Sequence, residues 1–153
     1  MTATVTLKQS KNPSRVLDTS PADPKTANAH FTSKLAFETD PSDVYTDIQN
    51  GETGIIVVDA RRPESYAKGH VPGSVNLPYR MIDASTTSSL PKNKAIVTYC
   101  AGTYCNASTK AAAKLTALGF RVKEMLDGME GWKREGYPVE TGTGPVKLQA
   151  PAK

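Results

Sequence analysis

The sequence predicts an α/β fold built on an open, mostly parallel sheet, and three observations carry that prediction. The first is IIVVDA at 55–60, a continuous β-branched run too short for a helix. The second is another short apolar run, AIVTY at 95–99. The third is the switch from Ser108 onward to the helix formers of STKAAAKLTALGF. Apolar runs without alternation suit strands covered on both faces, and strands alternating with helices suit a parallel arrangement.

Taken in order, the punctuation is regular. Asp40-Pro41-Ser42-Asp43 has the form of a helix start, leading into VYTDIQ and stopping at Asn50-Gly51. The 55–60 strand follows, then a shorter candidate, SVNL at 74–77, and then AIVTY. The helix from Ser108 stops at Gly119, which has the character of a glycine just past a helix end. VKEML (122–126) reads as a last strand and MEGWKRE (129–135) as a last helix before Gly136. The folded domain is expected over 29–140. Residues 1–28, rich in Thr, Ser, Lys and Pro and without a helical or strand period, are expected to be a flexible polar arm. Residues 141–153 are expected to form a loose tail.

Composition narrows the function classes. The 153 residues suit one domain, and 38% hydrophobic with 22% charged residues is a globular balance. The net charge of +4 invites a nucleic-acid reading, but it belongs to the ends. Residues 1–34 hold five Lys or Arg against two acids, and 141–153 hold two lysines. The body, 35–140, holds twelve basic against thirteen acidic residues, so no basic patch for nucleic acid is indicated. No run approaches the ~20 apolar residues of a membrane span, and the apolar core of a signal peptide is missing. The acid-free first 17 residues have some transit-peptide character, but they lack an amphipathic face and Asp18 and Asp23 follow. Two cysteines make no disulfide framework, and a free reactive thiol fits a cytoplasmic location.

Both cysteines fall in one strand-to-helix segment. Cys100 ends the AIVTY strand, and Ala101, Gly102, Thr103, Tyr104, Cys105 and Asn106 lead towards the helix. Such a loop can turn several backbone N–H groups towards one point as an anion nest, with the positive end of the helix dipole behind it. A thiol there is expected to have a lowered pKa and so to be nucleophilic at neutral pH. Gly102 is expected to free space where the loop bends around the sulfur. A buried strand-end cysteine is more often inert; the position between strand end and helix start argues the other way. A zinc site from Cys100, Cys105, His30 and His70 has poor ligand spacing.

The flanking motifs carry a family resemblance. VVDARRPESYAKGHVPGSVNLP (57–78) resembles the first signature of the rhodanese-like sulfurtransferases, and GMEGWKREGYPVE (128–140) resembles the second. Cys100 stands where that family has its persulfide-forming cysteine. The chain is most similar to single-domain members whose loop carries a second cysteine followed by Asn. The resemblance implies a rhodanese-like, open, mostly parallel five-stranded sheet flanked by helices on both faces. It also implies transfer of a sulfane sulfur from a donor such as thiosulfate, through a Cys100 persulfide, to cyanide, a small thiol or a protein acceptor. No metal or organic cofactor is called for. His70 is given no catalytic role and is expected to be a hydrogen-bonded structural residue. Arg61 is expected to pair with Glu64, and Trp132 to pack in the core.

The chain departs from the family pattern in its loop. Family members open the helix with a Ser about six residues past the cysteine, often preceded by Arg; here Ser108 is eight past and Ala107 precedes it. The longer loop holds no Arg, Lys or His. A dianion would depend on backbone N–H groups, or on Arg61, Arg62 or Lys110 arriving from elsewhere, and weak thiosulfate affinity is expected. The missing Arg argues against the phosphatases that share the fold. Cys105 is a candidate resolving thiol, with a plain packing role as the alternative. A persulfide-carrier or protein-binding module, and a thiol oxidoreductase or arsenate reductase using Cys100 and Cys105, remain as other readings.

Overall fold

The computed structural model describes residues 12–143, which contain five helices, one 3₁₀ turn and five strands. They fall into two units that divide at Ser33/Lys34. Helix α1 (Pro24–Phe37) crosses that division and buries none of its residues. Its start is local: the Asp23 carboxylate accepts from Thr26 N–H at 3.0 Å, and Pro24 supplies a preset φ at the first helical position. The segment 1–28 therefore contains a helix start at its end, which its lack of apolar period did not suggest. Residues 1–11 and 144–153 lie outside the described residues.

The second unit contains β1 (Glu38–Thr39), α2 (Pro41–Gln49), β2 (Ile55–Asp59), α3 (Pro63–Lys68), β3 (Val75–Asn76), a 3₁₀ turn (Tyr79–Met81), β4 (Ala95–Tyr99), α4 (Ala107–Ala117), β5 (Arg121–Met125) and α5 (Gly128–Arg134). The sheet has the order β1-β5-β4-β2-β3 with every pairing parallel. The fold is the α/β, five-stranded parallel arrangement expected. Helix α2 is capped as its sequence implies, with Asp40 accepting from Asp43 N–H at 2.9 Å and Pro41 in the first turn. Helix α4 ends just before Gly119, whose φ of +87° is the left-handed conformation a helix stop needs.

Because side chains alternate along a strand, β2 and β4 feed two cores. Ile56, Val58 and Ile96 pack with Ala111 and Leu115 of α4 on one face. Val57, Val97 and Tyr99 pack with Val44 of α2 and Met129 and Trp132 of α5 on the other. Trp132 is fully buried, as expected, and its Nε1–H donates to the Pro138 carbonyl at 2.7 Å. The connection leaving β2 runs to β3 on one side, while that leaving β4 runs to β5 on the other. The carboxyl ends of β2 and β4 thus flank a topological switch point, where open α/β sheets bind ligands.

Candidate active site

A cleft of about 300 Å³ lies at this switch point. The β2 end contributes Arg61 and Arg62, the 3₁₀ turn contributes Tyr79 and Arg80, and the β4 end contributes Cys100 and Cys105. Cys100 is almost fully buried, and Cys105 is half-buried. The two are joined by a disulfide with Cα atoms 6.2 Å apart. A turn makes this approach possible: Cys105 N–H donates to the Gly102 carbonyl at 3.0 Å and folds the chain back. Tyr104 projects fully into solvent.

The other loop amides are uncommitted. Among the described residues, the N–H groups of Ala101, Gly102, Thr103, Tyr104 and Asn106 have no protein acceptor. Helix α4 begins right behind them at Ala107, one residue earlier than expected. The loop therefore combines exposed donors with the positive end of an eleven-residue helix.

Helix α5 supports the loop from the far side. Met129 N–H donates to the Cys100 carbonyl at 2.9 Å, and Glu130 N–H donates to the Ala101 carbonyl at 2.8 Å. Gly128, with φ +51°, allows this docking; a Cβ there would press into the Cys100 carbonyl oxygen and lie 2.9 Å from its carbon. Gly102 takes part in the same contact. Its missing Cβ leaves room for the Glu130 carboxylate, whose Cδ would otherwise be 2.6 Å away. Thr103 Oγ1 donates to Asp127 Oδ1 at 3.0 Å, and Asp127 also accepts from Arg134.

Arg61 does not pair with Glu64. Its guanidinium donates to both oxygens of fully buried Asp59, at 3.0 and 3.1 Å from Nε and 2.6 Å from Nη2, and to the Gly69 carbonyl at 2.7 Å. A carboxylate buried at a strand end needs a charged partner, and Arg61 is two residues away on the turn that leaves the strand. Burial alone opposes the Arg61 charge, but the Asp59 hydrogen bonds and charge outweigh it and leave the pKa above its ordinary value. Tyr99 O–H donates to Asp59 Oδ2 at 2.7 Å and accepts from Val71 N–H at 3.0 Å. Burial, then the Asp59 charge, pushes the Tyr99 phenol well above its usual value. Arg61, one of the candidate cations, thus lines the cleft with its charge largely committed to structure.

Of the other candidates, Arg62 is exposed and lines the cleft. Lys110 approaches through Tyr79, its Nζ 5.1 Å from the ring centroid. Arg80 was not singled out by the sequence; it lines the cleft with Cζ 5.3 Å from the same ring. Its place at the cleft follows from the parallel pairing of β3 with β2, which the sequence alone does not show. His70 is buried away from the cleft lining, its Nδ1–H donating to the Tyr66 carbonyl at 2.7 Å and its ring stacked on Tyr66. A second cavity, about 230 Å³, reaches Cys100 and Cys105 together with Ser108 and Glu124. Glu124 Oε2 is buried there without a hydrogen-bond partner among the described residues.

Comparisons with known proteins fit this architecture. The family model for the rhodanese-like domain matches residues 40–135. The chain is 38% identical over 95 residues to thiosulfate sulfurtransferase GlpE of Pseudomonas paraeruginosa, covering 61% of this chain and 82% of that one. It is 36% identical over 88 residues to the HTH-type transcriptional regulator Rv0324 of Mycobacterium tuberculosis, covering 58% of this chain but spanning only 38% of the regulator. The crystal structure of the BH2092 protein from Bacillus halodurans superposes with a TM-score of 0.76 at 47% identity, covering 78% of this chain and 87% of that one. No helix among the described residues is long and apolar enough to cross a membrane.

Proposed function

The chain belongs to the rhodanese-like domain family, and on that premise we propose that it is a sulfurtransferase working through a persulfide on Cys100. The observation that carries this reading is the position of Cys100: at the carboxyl end of β4, beside the switch point, in a cleft that Arg62 and Arg80 also line. Reduction of the Cys100–Cys105 bond by a thiol frees the nucleophile. The Cys100 thiolate then attacks the outer sulfur of a donor such as thiosulfate. The donor's S–S bond breaks, sulfite leaves with the electron pair, and the outer sulfur stays on Cys100. Cyanide or a thiol, small or on a protein, next removes that sulfur and restores the thiolate.

The loop amides are suited to hold the donor's anionic end, with Ala101, Gly102, Thr103, Tyr104 and Asn106 as donors and the start of α4 behind them. Arg62 and Arg80 are the cations placed to draw it into the cleft, with Lys110 further out. On the opposite side Glu130 lies against Gly102. An acid beside the loop and no cation within it favour weak thiosulfate binding, with a KM above the low-millimolar range at modest ionic strength. A pair that must be reduced before it can turn over suits the cytoplasm, where thiols are kept reduced.

The test is thiocyanate formation from thiosulfate and cyanide by the reduced protein, together with its intact mass after thiosulfate alone. Turnover by wild type and a mass gain of one sulfur in Cys105→Ser are expected, and both should be lost once Cys100→Ser is introduced. Sulfur gain without turnover would instead mark a carrier that needs a protein partner. Persulfide on Cys105 of the Cys100→Ser chain would overturn the choice of sulfur.

A further inference from the structure

We infer that Cys105 resolves the Cys100 persulfide and releases its sulfur as hydrosulfide, so that the protein turns a sulfane sulfur into sulfide at the expense of an external thiol. This rests on the persulfide reading of Cys100 and goes beyond it, because the sulfur leaves reduced rather than being handed on.

The geometry of the loop is the reason. Five residues separate the two cysteines, yet the Gly102–Cys105 turn returns the chain so that the sulfurs are bonded with Cα atoms 6.2 Å apart, well within the span a disulfide allows. The attacking sulfur is therefore already within bonding reach of Cys100 Sγ and needs no hinge or partner. The loop is held at both ends, by α5 hydrogen bonds to the Cys100 and Ala101 carbonyls and by the start of α4 at Ala107, while Cys105 N–H is fixed on the Gly102 carbonyl. An intramolecular attack from such a position competes strongly with any acceptor that must diffuse in. A cysteine that merely packed beneath the helix would not have its sulfur joined to the nucleophile. Both cysteines also line the second cavity with Glu124, so a small product has space on two sides of the pair.

The step balances within the protein. The Cys105 thiol gives up its proton and its sulfur attacks Cys100 Sγ. The bond from Cys100 Sγ to the outer sulfur breaks, and the outer sulfur departs with that electron pair and the proton as HS⁻. The persulfide anion and one thiol thus become a disulfide and hydrosulfide: the outer sulfur is reduced and the two cysteines are oxidised. Two equivalents of a thiol, or one dithiol, then return the pair to its reduced form and emerge as a disulfide. Over a full cycle thiosulfate and two thiols give sulfite, hydrosulfide, a disulfide and a proton.

A single-turnover experiment on the whole chain separates this from the reading it rests on. Reduced protein, freed of reductant, is mixed with thiosulfate without cyanide, and sulfite, sulfide and intact mass are followed. Wild type is expected to release sulfite and then an equal amount of sulfide, ending lighter than the reduced chain by two hydrogens. Cys105→Ser, and Cys105→Ala in parallel, should release the same sulfite, retain the sulfur, and give sulfide only when thiol is added. Thermal unfolding under reducing conditions should match wild type for at least one of the two variants. Wild type that holds the added sulfur and releases no sulfide overturns the resolving role while leaving the persulfide reading intact. Sulfide released as fast by both Cys105 variants as by wild type does the same. Absence of sulfite from every chain overturns both.

Discussion

Replacing Gly128 by Ala isolates the contact that sets the cysteine loop on α5. The position has φ +51°, where an L side chain costs about 1–2 kcal/mol. The new Cβ would also press on the Cys100 carbonyl oxygen and lie 2.9 Å from the Cys100 carbon and 3.1 Å from the Ala101 carbon. They belong to the two backbone carbonyls whose oxygens accept from Met129 and Glu130, so relief requires loop or helix to move, at about 1–3 kcal/mol. The sum, about 2–5 kcal/mol, corresponds to a Tm lowered by about 5–15 °C for a chain of this length. Gly73 provides the control: its φ is +74° but nothing lies within 4 Å of an added Cβ. Gly73→Ala then carries the conformational cost alone, partly offset by a stiffer unfolded chain, and should lose only about 2–4 °C. Thermal unfolding by circular dichroism gives both values. Sulfite release on mixing with thiosulfate gives the consequence for the site, where a displacement on the order of 1 Å should slow Gly128→Ala by ten- to a hundredfold and leave Gly73→Ala unaffected. If the two variants melt together and load sulfur alike, α5 does not position the loop, and the account of Gly128 is wrong.

Tyr99→Phe should cost about 2–4 kcal/mol in urea unfolding, because it strips buried Asp59 of a donor and Val71 N–H of its acceptor. Arg61→Ala should cost about 3–5 kcal/mol by leaving the Asp59 carboxylate buried and unpaired, whereas Arg62→Ala with Arg80→Ala should raise the thiosulfate KM severalfold at unchanged Tm; the reverse pattern would make Arg61 the substrate cation. Stability should fall as pH rises above 10: the unfolded chain loses the Tyr99 proton near its ordinary 10.0 while the folded chain, whose value is raised, keeps it. The expected slope from this group is about 1.4 kcal/mol per pH unit, and Tyr99→Phe should be less steep between about pH 9 and about pH 11 in denaturant titrations.

Much of the architecture was legible because β2 and β4 are apolar on both faces and α4 is written in helix formers. What escaped was structure without such a pattern. Strand β1 is two residues, Glu38–Thr39, whose strand character comes from β5 rather than from its own side chains. Helix α1 has no buried face, so periodicity was silent, although Asp23 followed by Pro24 supplied a capping signal of its own. At the site, the cysteines and the loop between them were legible from the strand-to-helix position. The Arg61 pairing was misjudged because Glu64 is close in sequence, while the burial that makes Asp59 the stronger partner is set by β4 packing beside β2. Glu124 gave no sequence signal: its surroundings, like those of Arg80, depend on which strand ends meet.

The charge arrangement connects these elements. The folded body is mildly acidic, and the loop between Cys100 and the start of α4 holds no cation. Arg61, the cationic side chain nearest β2 in sequence, is committed to Asp59, and through Asp59 to Tyr99, so it ties the ends of β2 and β4 together. That pairing fixes the strand end from which Cys100 emerges, while Arg62 and Arg80 remain at the cleft and Glu130 stands on the loop's opposite flank. A site arranged this way attracts an anion into the cleft but has little to hold a second negative charge against the loop. On the proposed mechanism, sulfite leaving after the first step and hydrosulfide leaving after the second would meet the same shortage of cations. The feature that would weaken donor binding would on that mechanism also favour product departure, and would leave the adjacent Cys105 sulfur, which need not wait for diffusion, as the group best placed to take the next step.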